Sequence, residues 1–537
     1  MFNILNIKNS IILIIIILFY FLFNFNFDQL EFYYDDYWFV SSFRNNNDLF
    51  TNFIKLKEYY IVRPIGLTYL SLLSVIESEK LGIYYLINIF IWLISSLILY
   101  LSFAKIINKK FALIFFFLIL FPSISSAFLF SPIIQGLSTI SIFFWSLSLY
   151  FLSKNKGLTN TLISIIFLTM SFLSYEISFS LVPINIFVYC YLNNIFSYNI
   201  KDLFYKIIKI LFFSIILVLL FYFFQKFVSL YSEANLIKYG FNEEDFLINV
   251  QKYFFTPFKI LYYEIPKLWI DGAVKTLSKI NYFLYFLILF LNLILYLIIF
   301  NKKTIVNKIS FKILFIFNLT LAFVFVGIFL IYLVATSVPD VTGYYSRGLL
   351  CLHIFFSIFL SQMVFTKNKF VIFFTFLIFN LNFMSLSQKF LIHLDYGKER
   401  KKIIEATKTL AGVNKVIFTN FNTFKTENYN LIPIFSDEVF DYSNAINFYT
   451  ENQMLAHRIY KKEECNKILY YENNILTGYV PSRNRKFTED QNLRFMKISK
   501  EDVKKTSIII YDYNKKKFIE GKINNLDFLL KSVFDCL

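Results

Sequence analysis

The sequence is poor in the residues from which most metal sites, nucleotide loops and disulfide frameworks are built. Its 537 residues include 4 cysteines, 3 histidines and 13 glycines. There is no P-loop, no Gly-x-Gly-x-x-Gly turn, no paired Cys-x-x-Cys and no histidine cluster with metal-ligand spacing. Cys190 and Cys351 lie in apolar runs and are expected to pack as small hydrophobic residues, whereas Cys465 and Cys536 could pair in an oxidising compartment. These absences exclude a disulfide-stapled domain and the best-known nucleotide sites.

Apolar residues are present in excess. Hydrophobic residues make up 57% of the chain and the mean hydropathy is +0.57, above the range of ordinary soluble domains. Runs of about 20 apolar residues can cross a hydrocarbon layer of about 30 Å. The predicted spans are 10–27, 83–103, 111–128, 133–153, 160–175, 177–195, 210–228, 281–300, 313–334, 347–366 and 370–388. The sequence therefore predicts an α-helical polytopic membrane protein with about 11 transmembrane helices.

The basic charge is concentrated in one set of loops. Lys8 and five short loops carry 15 lysines and one acid, which is +14 of the formal +17. These loops are 104–110, 153–160, 196–209, 301–312 and 367–369. The positive-inside rule assigns them and the N-terminus to the cytoplasm of a plasma (inner) membrane. The charge is dispersed rather than gathered with stacking aromatics, so no nucleic-acid partner is expected.

The remaining loops are predicted to lie outside the cell. The first external loop, 28–82, carries eight acidic and five basic residues, and the large external loop, 229–280, carries six of each. Residues 1–388 then form a transmembrane module, and residues 389–537 form a small soluble extracytoplasmic α/β C-terminal domain. In that tail, strand-like segments alternate with helical stretches such as Asn444–Tyr460. The strand-like segments are Val416–Asn420, Ile468–Tyr471 and Ser507–Tyr511.

Two helices that do not span are expected within the first external loop. The pattern of Asp48–Tyr60 places apolar residues on one side and is typical of a helix lying on the membrane surface. Ile65–Ile76 is apolar but too short to cross. If it did cross, every later lysine-rich loop would face outward, against the charge rule.

A pair of adjacent acids, Asp35 and Asp36, follows the first predicted span. Neighbouring carboxylates beside a bilayer repel each other, which suits a general base or a cation ligand. The alternative is a solvated acidic rim, because external loops carry acids freely. The aromatic residues around the pair, among them Tyr37, are typical of a membrane interface and weigh against that alternative.

Three further charged residues are candidates for the same side of the membrane. Arg63 either binds a phosphate or balances carboxylates, or it simply precedes Pro64 at a helix start. Glu176 lies in a predicted external turn and is either exposed there or part of a site with Asp35 and Asp36. Arg347 begins the tenth predicted span, where it either snorkels or anchors a lipid phosphate. His353, deeper in that span, is expected to make an interhelical hydrogen bond.

Together these residues carry a family resemblance. A first helix followed at once by Asp35-Asp36-Tyr37, then Arg63-Pro64 and a late Tyr345-Ser346-Arg347, resembles the GT-C superfamily of integral-membrane glycosyltransferases. Within it the nearest likeness is to bacterial O-antigen-modifying glucosyltransferases. The likeness covers roughly residues 1–388, and the tail resembles no family. One departure is that the external loop after the third predicted span has no charged residue.

The resemblance implies a reaction and its partners. A sugar would move from a polyprenyl-phosphate donor to a glycan, lipid or protein acceptor at the bilayer surface. Asp35 or Asp36 would take the acceptor proton or hold a divalent cation (Mg²⁺ or Mn²⁺), if the reaction uses one. The implied site residues are Asp35, Asp36 and Glu176 for catalysis, and Arg63, Arg347, Tyr37 and Tyr345 for substrate binding.

Two other classes compete with a transferase. A transporter or flippase of lipid-linked saccharides usually places charges near the middle of the membrane and often shows repeated halves. Here the notable charges lie on one side and no repeat is found. A polysaccharide-assembly scaffold, with the tail as a docking module, is the third class.

Overall fold

The structure is a computed structural model of the chain. It describes residues 36, 39–40, 43, 48–76, 81–125, 131–154, 157–197, 255–278, 291–293, 311–334, 346, 348–362 and 369–408, together with seven strands between 415 and 522. In chain order the α-helices within these residues are α1 (Leu49–Tyr60), α2 (Pro64–Ser74), α3 (Leu81–Ile106), α4 (Lys109–Ile119), α5 (Gly136–Lys154), α6 (Leu158–Ser174), α7 (Val182–Leu192), α8 (Ile265–Ser278), α9 (Phe311–Val334), α10 (Leu349–Ser361) and α11 (Lys369–Lys408).

The helices have the apolar character of a membrane protein, as the sequence predicts. Among the described residues, α3, α5 and the Lys312–Tyr332 part of α9 are long and apolar enough to cross a bilayer. α6 and α10 are shorter apolar helices, as is Glu176–Leu192, in which a 3₁₀ turn precedes α7. The predicted spans 10–27, 210–228 and 281–300 lie outside the described residues, apart from the helical residues 291–293.

The third predicted span, 111–128, is wrong as a continuous helix. α4 ends at Ile119 after 11 residues, about 16 Å, or half of the hydrocarbon layer. The chain then continues through buried, irregular residues 120–125, and a second buried turn at 131–135 precedes α5. Pro122 and Pro132, which lie in these two segments, oppose a continuing helix. At membrane depth such backbone is tolerated only where protein or an internal cavity surrounds it.

The two helices expected in the first external loop are confirmed. Asp48 caps α1 by accepting a hydrogen bond from the Thr51 N–H at 2.8 Å. Hydrogen bonds from the side chain and backbone of Thr51 lower the pKa of Asp48. Phe50 is 70% exposed, in keeping with a face turned toward the membrane surface. α2 begins at Pro64, whose fixed φ and missing N–H suit a first helical turn.

Side-chain hydroxyls and amides join α5 to its neighbours. Ser171 Oγ of α6 donates to the Ser141 carbonyl at 2.6 Å. Trp145 Nε1 donates to Asn185 Oδ1 at 2.7 Å, and the Asn185 amide donates to Ser148 Oγ at 2.9 Å. In a bilayer, where apolar contact alone does not favour association of helices, small residues and interhelical hydrogen bonds supply that preference. These contacts hold α5, α6 and α7 together.

The described parts of four loops that the charge rule groups as cytoplasmic lie at one end of the bundle. Lys312 Nζ donates to the Phe196 carbonyl at 2.8 Å, and the Nζ atoms of Lys105 and Lys154 lie 5.1 and 4.7 Å from the ring centroid of Tyr150. The end of α3, the end of α7 and the start of α9 line one small apolar cavity there. The grouping is thus confirmed for the described ends of loops 104–110, 153–160, 196–209 and 301–312, while the rest of the grouping and the direction in which this end faces stay predictions.

The tail contains two sheets in its described residues. The first has the order β2-β1-β6-β7, with β1 parallel to β2 and β6 and with β7 antiparallel to β6. The second is the antiparallel sheet β3-β4-β5. The bounds are β1 Lys415–Thr419, β2 Leu455–Arg458, β3 Leu469–Glu472, β4 Ile475–Gly478, β5 Lys497–Ile498, β6 Ser507–Asp512 and β7 Lys517–Lys522.

The strands overlap the strand-like segments read from the sequence, with one correction. β1, β3 and β6 coincide with the three predicted strand-like segments to within one residue at each end. The predicted helix Asn444–Tyr460 is wrong at Leu455–Arg458, because these residues pair with β1. The predicted boundary between residues 388 and 389 falls inside α11. A separate extracytoplasmic domain stays a prediction.

α8 crosses α11 at a steep angle. The Leu268 carbonyl accepts from Ser385 Oγ at 3.3 Å, and Thr276 Oγ1 donates to the Met384 carbonyl at 3.0 Å. Leu268 and Thr276 are about 12 Å apart along α8, yet their partners are adjacent in α11. The approach is close, since a Cβ added to Gly272 would lie 2.6 Å from Ser385 Cα.

We expect Gly272→Ala to destabilise the protein, because a methyl group there meets backbone atoms that cannot rotate away. Overpacking of this kind costs about 1–3 kcal/mol. The measurement is the thermal unfolding midpoint in detergent. Gly157→Ser is the matched control, since a Cβ at Gly157 would meet nothing within 4 Å. Equal midpoints for the two variants would contradict the packing described here.

Candidate functional site

Asp36, one of the two acids predicted to be reactive, is completely buried. Its carboxylate accepts hydrogen bonds from Ser131 Oγ at 2.8 Å and from the backbone N–H groups of Ile133 and Ile134 at 3.1 and 2.9 Å. All three donors belong to the turn that precedes α5. A buried N–H without an acceptor would cost about 1–3 kcal/mol. Asp36 therefore has the geometry of a carboxylate that holds this turn in place.

Arg63 and Glu176 form a two-pronged ion pair across 113 positions of sequence. Arg63 Nε donates to Glu176 Oε2 at 2.8 Å, and Nη2 donates to Oε1 at 2.5 Å. The guanidinium also lies over the Tyr175 ring, 4.6 Å from its centroid. The side chains of Arg63 and Glu176 are 18% and 20% exposed. The fork of an arginine matches a carboxylate in this arrangement, so the pair is both charged and directional.

Local structure explains why the two partners meet. Arg63 immediately precedes α2, and Glu176 begins the 3₁₀ turn that follows α6. A Cβ on Gly66 would lie 2.8 Å from the Ser174 carbonyl and 3.0 Å from Leu137 Cδ2. Glycine at this position lets the first turn of α2 rest directly on the end of α6. The close approach places the guanidinium beside the acid.

Two polar side chains that the sequence reading missed flank Gly136. A Cβ on Gly136 would lie 3.0 Å from the Tyr69 hydroxyl, and Gln135 is the preceding residue. Both side chains are buried, and neither the Tyr69 hydroxyl nor the Gln135 amide nitrogen has a hydrogen-bond partner among the described residues. Burial, and then the charge of Asp36, raise the pKa of Tyr69, so the phenol stays a neutral donor. Such groups are candidates for binding a polar ligand.

A buried cation on α11 was also missed. Lys389 is 4% exposed, and its Nζ donates to the Ser123 carbonyl at 2.6 Å, in the irregular segment after α4. Ser123 Oγ donates to Asn382 Oδ1, and Trp269 Nε1 donates to the same oxygen at 3.1 Å. A lysine just beyond the last apolar run was the available signal, but the sequence placed it in a soluble tail. Ionisable residues buried among membrane helices usually have a functional role.

The other predicted site residues lie outside the described part of the chain. These are Asp35, Tyr37, Tyr345 and Arg347. The interhelical hydrogen bond expected of His353 is confirmed, since its Nε2 lies 3.2 Å from the Ile119 carbonyl at the end of α4. The buried, unbridged state expected of Cys190 and Cys351 is confirmed as well.

Of the predicted residues that are described, two meet directly and a third lies nearby in the same layer. Arg63 binds Glu176, and α2 leads from Arg63 to Tyr69, whose pKa responds to the charge of Asp36. The turn held by Asp36 leads into α5 next to Gly136. This end of the bundle thus offers a half-buried ion pair, a buried carboxylate and neutral hydrogen-bond donors, which suit the binding of a polar molecule at the edge of a membrane.

We expect Glu176→Gln to lower stability, because the Arg63 guanidinium would lose its charged partner. Breaking a fully buried pair costs about 3–5 kcal/mol and an exposed one about 0–1 kcal/mol, so a half-buried pair should fall between them. Thermal unfolding in detergent of Glu176→Gln, Arg63→Gln and the double variant forms a double-mutant cycle. The loss in the double variant should be well below the sum of the single losses. Additive losses would contradict a direct interaction.

No protein-family model matches the chain, and neither a curated protein nor a solved structure matches it. The likeness to the GT-C superfamily therefore stays a prediction, which rests on the sequence motifs around Asp35, Arg63 and Arg347.

Proposed function

We propose that the protein is an integral-membrane glycosyltransferase. It moves a sugar from a polyprenyl-phosphate-linked donor to an extracytoplasmic acceptor, which is a glycan, a lipid or a protein. It lies in the plasma (inner) membrane with about eleven spans, its N-terminus in the cytoplasm and its C-terminal domain outside. The apolar helices and the grouping of lysine-rich loops at one end of the bundle support this arrangement.

The salt bridge between Arg63 and Glu176 is the observation that carries the proposal. It joins the first external loop to the turn after α6, and the predicted topology assigns both to the outer face. A reaction between a lipid-linked donor and an external acceptor needs charged groups at that face. A transporter needs them near the middle of the membrane. Half-buried ions at the edge of the bundle therefore favour the transferase.

The proposed reaction needs a base and a positive charge at the departing phosphate. The Asp35 carboxylate takes the proton of the acceptor hydroxyl, and the hydroxyl oxygen forms a bond to the anomeric carbon of the sugar. The bond from that carbon to the phosphate oxygen breaks at the same time. Polyprenyl phosphate leaves with the electron pair, and Arg347 stabilises its charge. Tyr37 and Tyr345 contact the substrates.

The described geometry supports different duties for Asp36, Arg63 and Glu176. Asp36 shapes the site by holding the turn before α5. The sequence predicts that Arg63 either binds a phosphate or balances the charge of carboxylates. Its ion pair with Glu176 supports the second of these roles. Glu176, held by the Arg63 guanidinium, orients the acceptor. The donors of Tyr69 and Gln135 are placed to bind sugar hydroxyls.

A divalent cation, Mg²⁺ or Mn²⁺, is a further option for this chemistry. Among the described residues no group of three or more His, Cys, Asp or Glu side chains comes together. The three donors at Asp36 fit a hydrogen-bonded carboxylate better than a metal ligand. A cation would therefore bind through Asp35, and it would neutralise charge on the departing phosphate.

A transporter of lipid-linked saccharides is the second candidate, favoured by the broken backbone after α4. Interrupted helices with a nearby buried charge, here Lys389, are found at the substrate sites of transporters. Purified protein in vesicles separates the two functions. A transferase forms a new glycosidic product from a polyprenyl-phosphate sugar, whereas a transporter moves the same lipid across the bilayer without changing it.

We expect Asp35→Asn to reduce sugar transfer by about 10²–10⁴-fold, the usual contribution of a general base. Its thermal midpoint should equal that of the wild type. Asp36→Asn should instead lower the midpoint, because the new amide hydrogens would face the N–H groups of Ile133 and Ile134. Both measurements use the same purified protein, so loss of activity is separated from loss of folding.

A fully active Asp35→Asn variant with unchanged pH dependence would exclude Asp35 as the base. Unchanged thermal stability of Asp36→Asn would contradict the structural duty assigned to Asp36. The Gly157→Ser variant, altered at the opposite end of the bundle, is the matched control and should leave both quantities unchanged.

A further inference from the structure

The helical segment 255–278, in the large external loop, has two unlike faces. Its buried residues are Thr256, Ile260, Ile265, Leu268, Gly272 and Thr276. Its exposed apolar residues are Tyr263 and six others, here called the stripe: Phe255, Phe258, Tyr262, Ile270, Val274 and Leu277. The most exposed of these side chains is that of Tyr262, at 88%. A continuous exposed apolar surface of this kind usually marks an interaction site.

A π-helical turn at Ile260–Glu264 makes the stripe continuous. Phe258 and Val274 lie on either side of it, sixteen positions apart. On a regular α-helix, at about 100° per residue, they would point about 160° apart. A π turn takes up one extra residue, which reduces the angle to about 60°. The same shift moves Ile270 and Leu277 into the arc between Phe255 and Phe258, so the insertion aligns both halves of the segment.

The segment cannot be a transmembrane span, because five charged residues interrupt it. They are Lys259, Glu264, Lys267, Asp271 and Lys275. Its steep crossing of α11 gives its direction. The contact at Ser385 lies sixteen residues after the start of α11, about 24 Å along a helix that begins in the predicted cytoplasmic loop 367–369. The segment therefore runs across the bundle near the opposite membrane surface.

We propose that segment 255–278 is a membrane-interface helix whose stripe inserts among the phospholipid headgroups and upper acyl chains of the outer leaflet. The bilayer is the occupant because the segment packs on α11 within a bundle in which α3, α5 and α9 are long and apolar enough to cross a membrane. Lys259 pairs with Glu264 at 2.8 Å, whereas Lys267 and Lys275, on one flank of the stripe, reach headgroup phosphates while their stems cover apolar surface. This inference holds whether the protein is a transferase or a transporter.

The buried face links the depth of this helix to the polar cluster at the end of α4. Trp269 Nε1 donates to Asn382 Oδ1 at 3.1 Å and lies 3.3 Å from Ser123 Oγ, whose residue carbonyl binds Lys389. A helix held at a fixed depth in the interface thereby fixes the position of these side chains relative to the lipid headgroups. Trp269, on the inner face of this surface helix, thus connects the helix to the buried polar side chains.

Depth-dependent fluorescence quenching tests the inference on the full chain. Phe258→Cys and Val274→Cys are labelled with an environment-sensitive dye and reconstituted into nanodiscs of phosphatidylcholine and phosphatidylglycerol. Cys465 and Cys536 are first replaced by serine, and Cys190 and Cys351 are buried. Phe373→Cys on α11 is the lipid-exposed control, and Lys55→Cys, on the face of α1 opposite Phe50, is the water-exposed control.

We expect both Phe258→Cys and Val274→Cys labels to lose most of their fluorescence with nitroxide-bearing lipids and little with aqueous iodide. Quenching of both by iodide alone would overturn the proposal. Lipid quenching at only one position would also overturn it, because the stripe would not be continuous. Labels protected from both quenchers, with crosslinks between copies, would show a protein partner instead. Unchanged thermal midpoints of the labelled variants confirm that the fold is kept.

Discussion

The broken backbone between α4 and α5 demands hydrogen-bond partners from the rest of the protein, because a hydrocarbon layer offers none to exposed peptide groups. Asp36 meets part of that demand by accepting from Ile133 and Ile134. An ionised carboxylate is a strong acceptor, but burying it is tolerable only when several donors converge on it. Asp36 therefore anchors the start of the first external loop to the interior of the bundle. α1 and α2 come after this anchored residue in the chain.

Close approach of small residues supports the same end of the molecule. Gly66 lets α2 rest on the end of α6, Gly136 lets α5 meet Tyr69, and Gly272 lets α8 cross α11. At each position a side chain would separate two elements that carry polar groups of the candidate site. Hydroxyl contacts such as Ser141 with Ser171 give these apolar helices a preferred register. The polar groups at this end are thus brought together by close packing at glycines, where a side chain would not fit, rather than by a large number of charges.

Features that arise within one segment could be predicted from the sequence. α1 follows its Asp48 cap and α2 follows Pro64, because caps and periodicity act over a few residues. Pairings over long separations could not be predicted in this way. Each partner of the Arg63–Glu176 bridge was identified as unusual, but nothing local specifies that they meet. Lys389 was missed because its partner, the Ser123 carbonyl, belongs to an irregular segment that the apolar composition of 111–128 concealed.

α11 runs without a break for 40 residues, about 60 Å, or twice the thickness of the hydrocarbon layer. Its regular hydrogen bonding makes it a stiff rod with Asn382 and Lys389 near the middle. A pull or a torque applied to the segment after Lys408 is consequently delivered to the contact between Lys389 and Ser123, with no joint along the helix to absorb it. Within the described residues α11 therefore connects the cluster of Ser123, Asn382 and Lys389 mechanically with the chain that enters the tail.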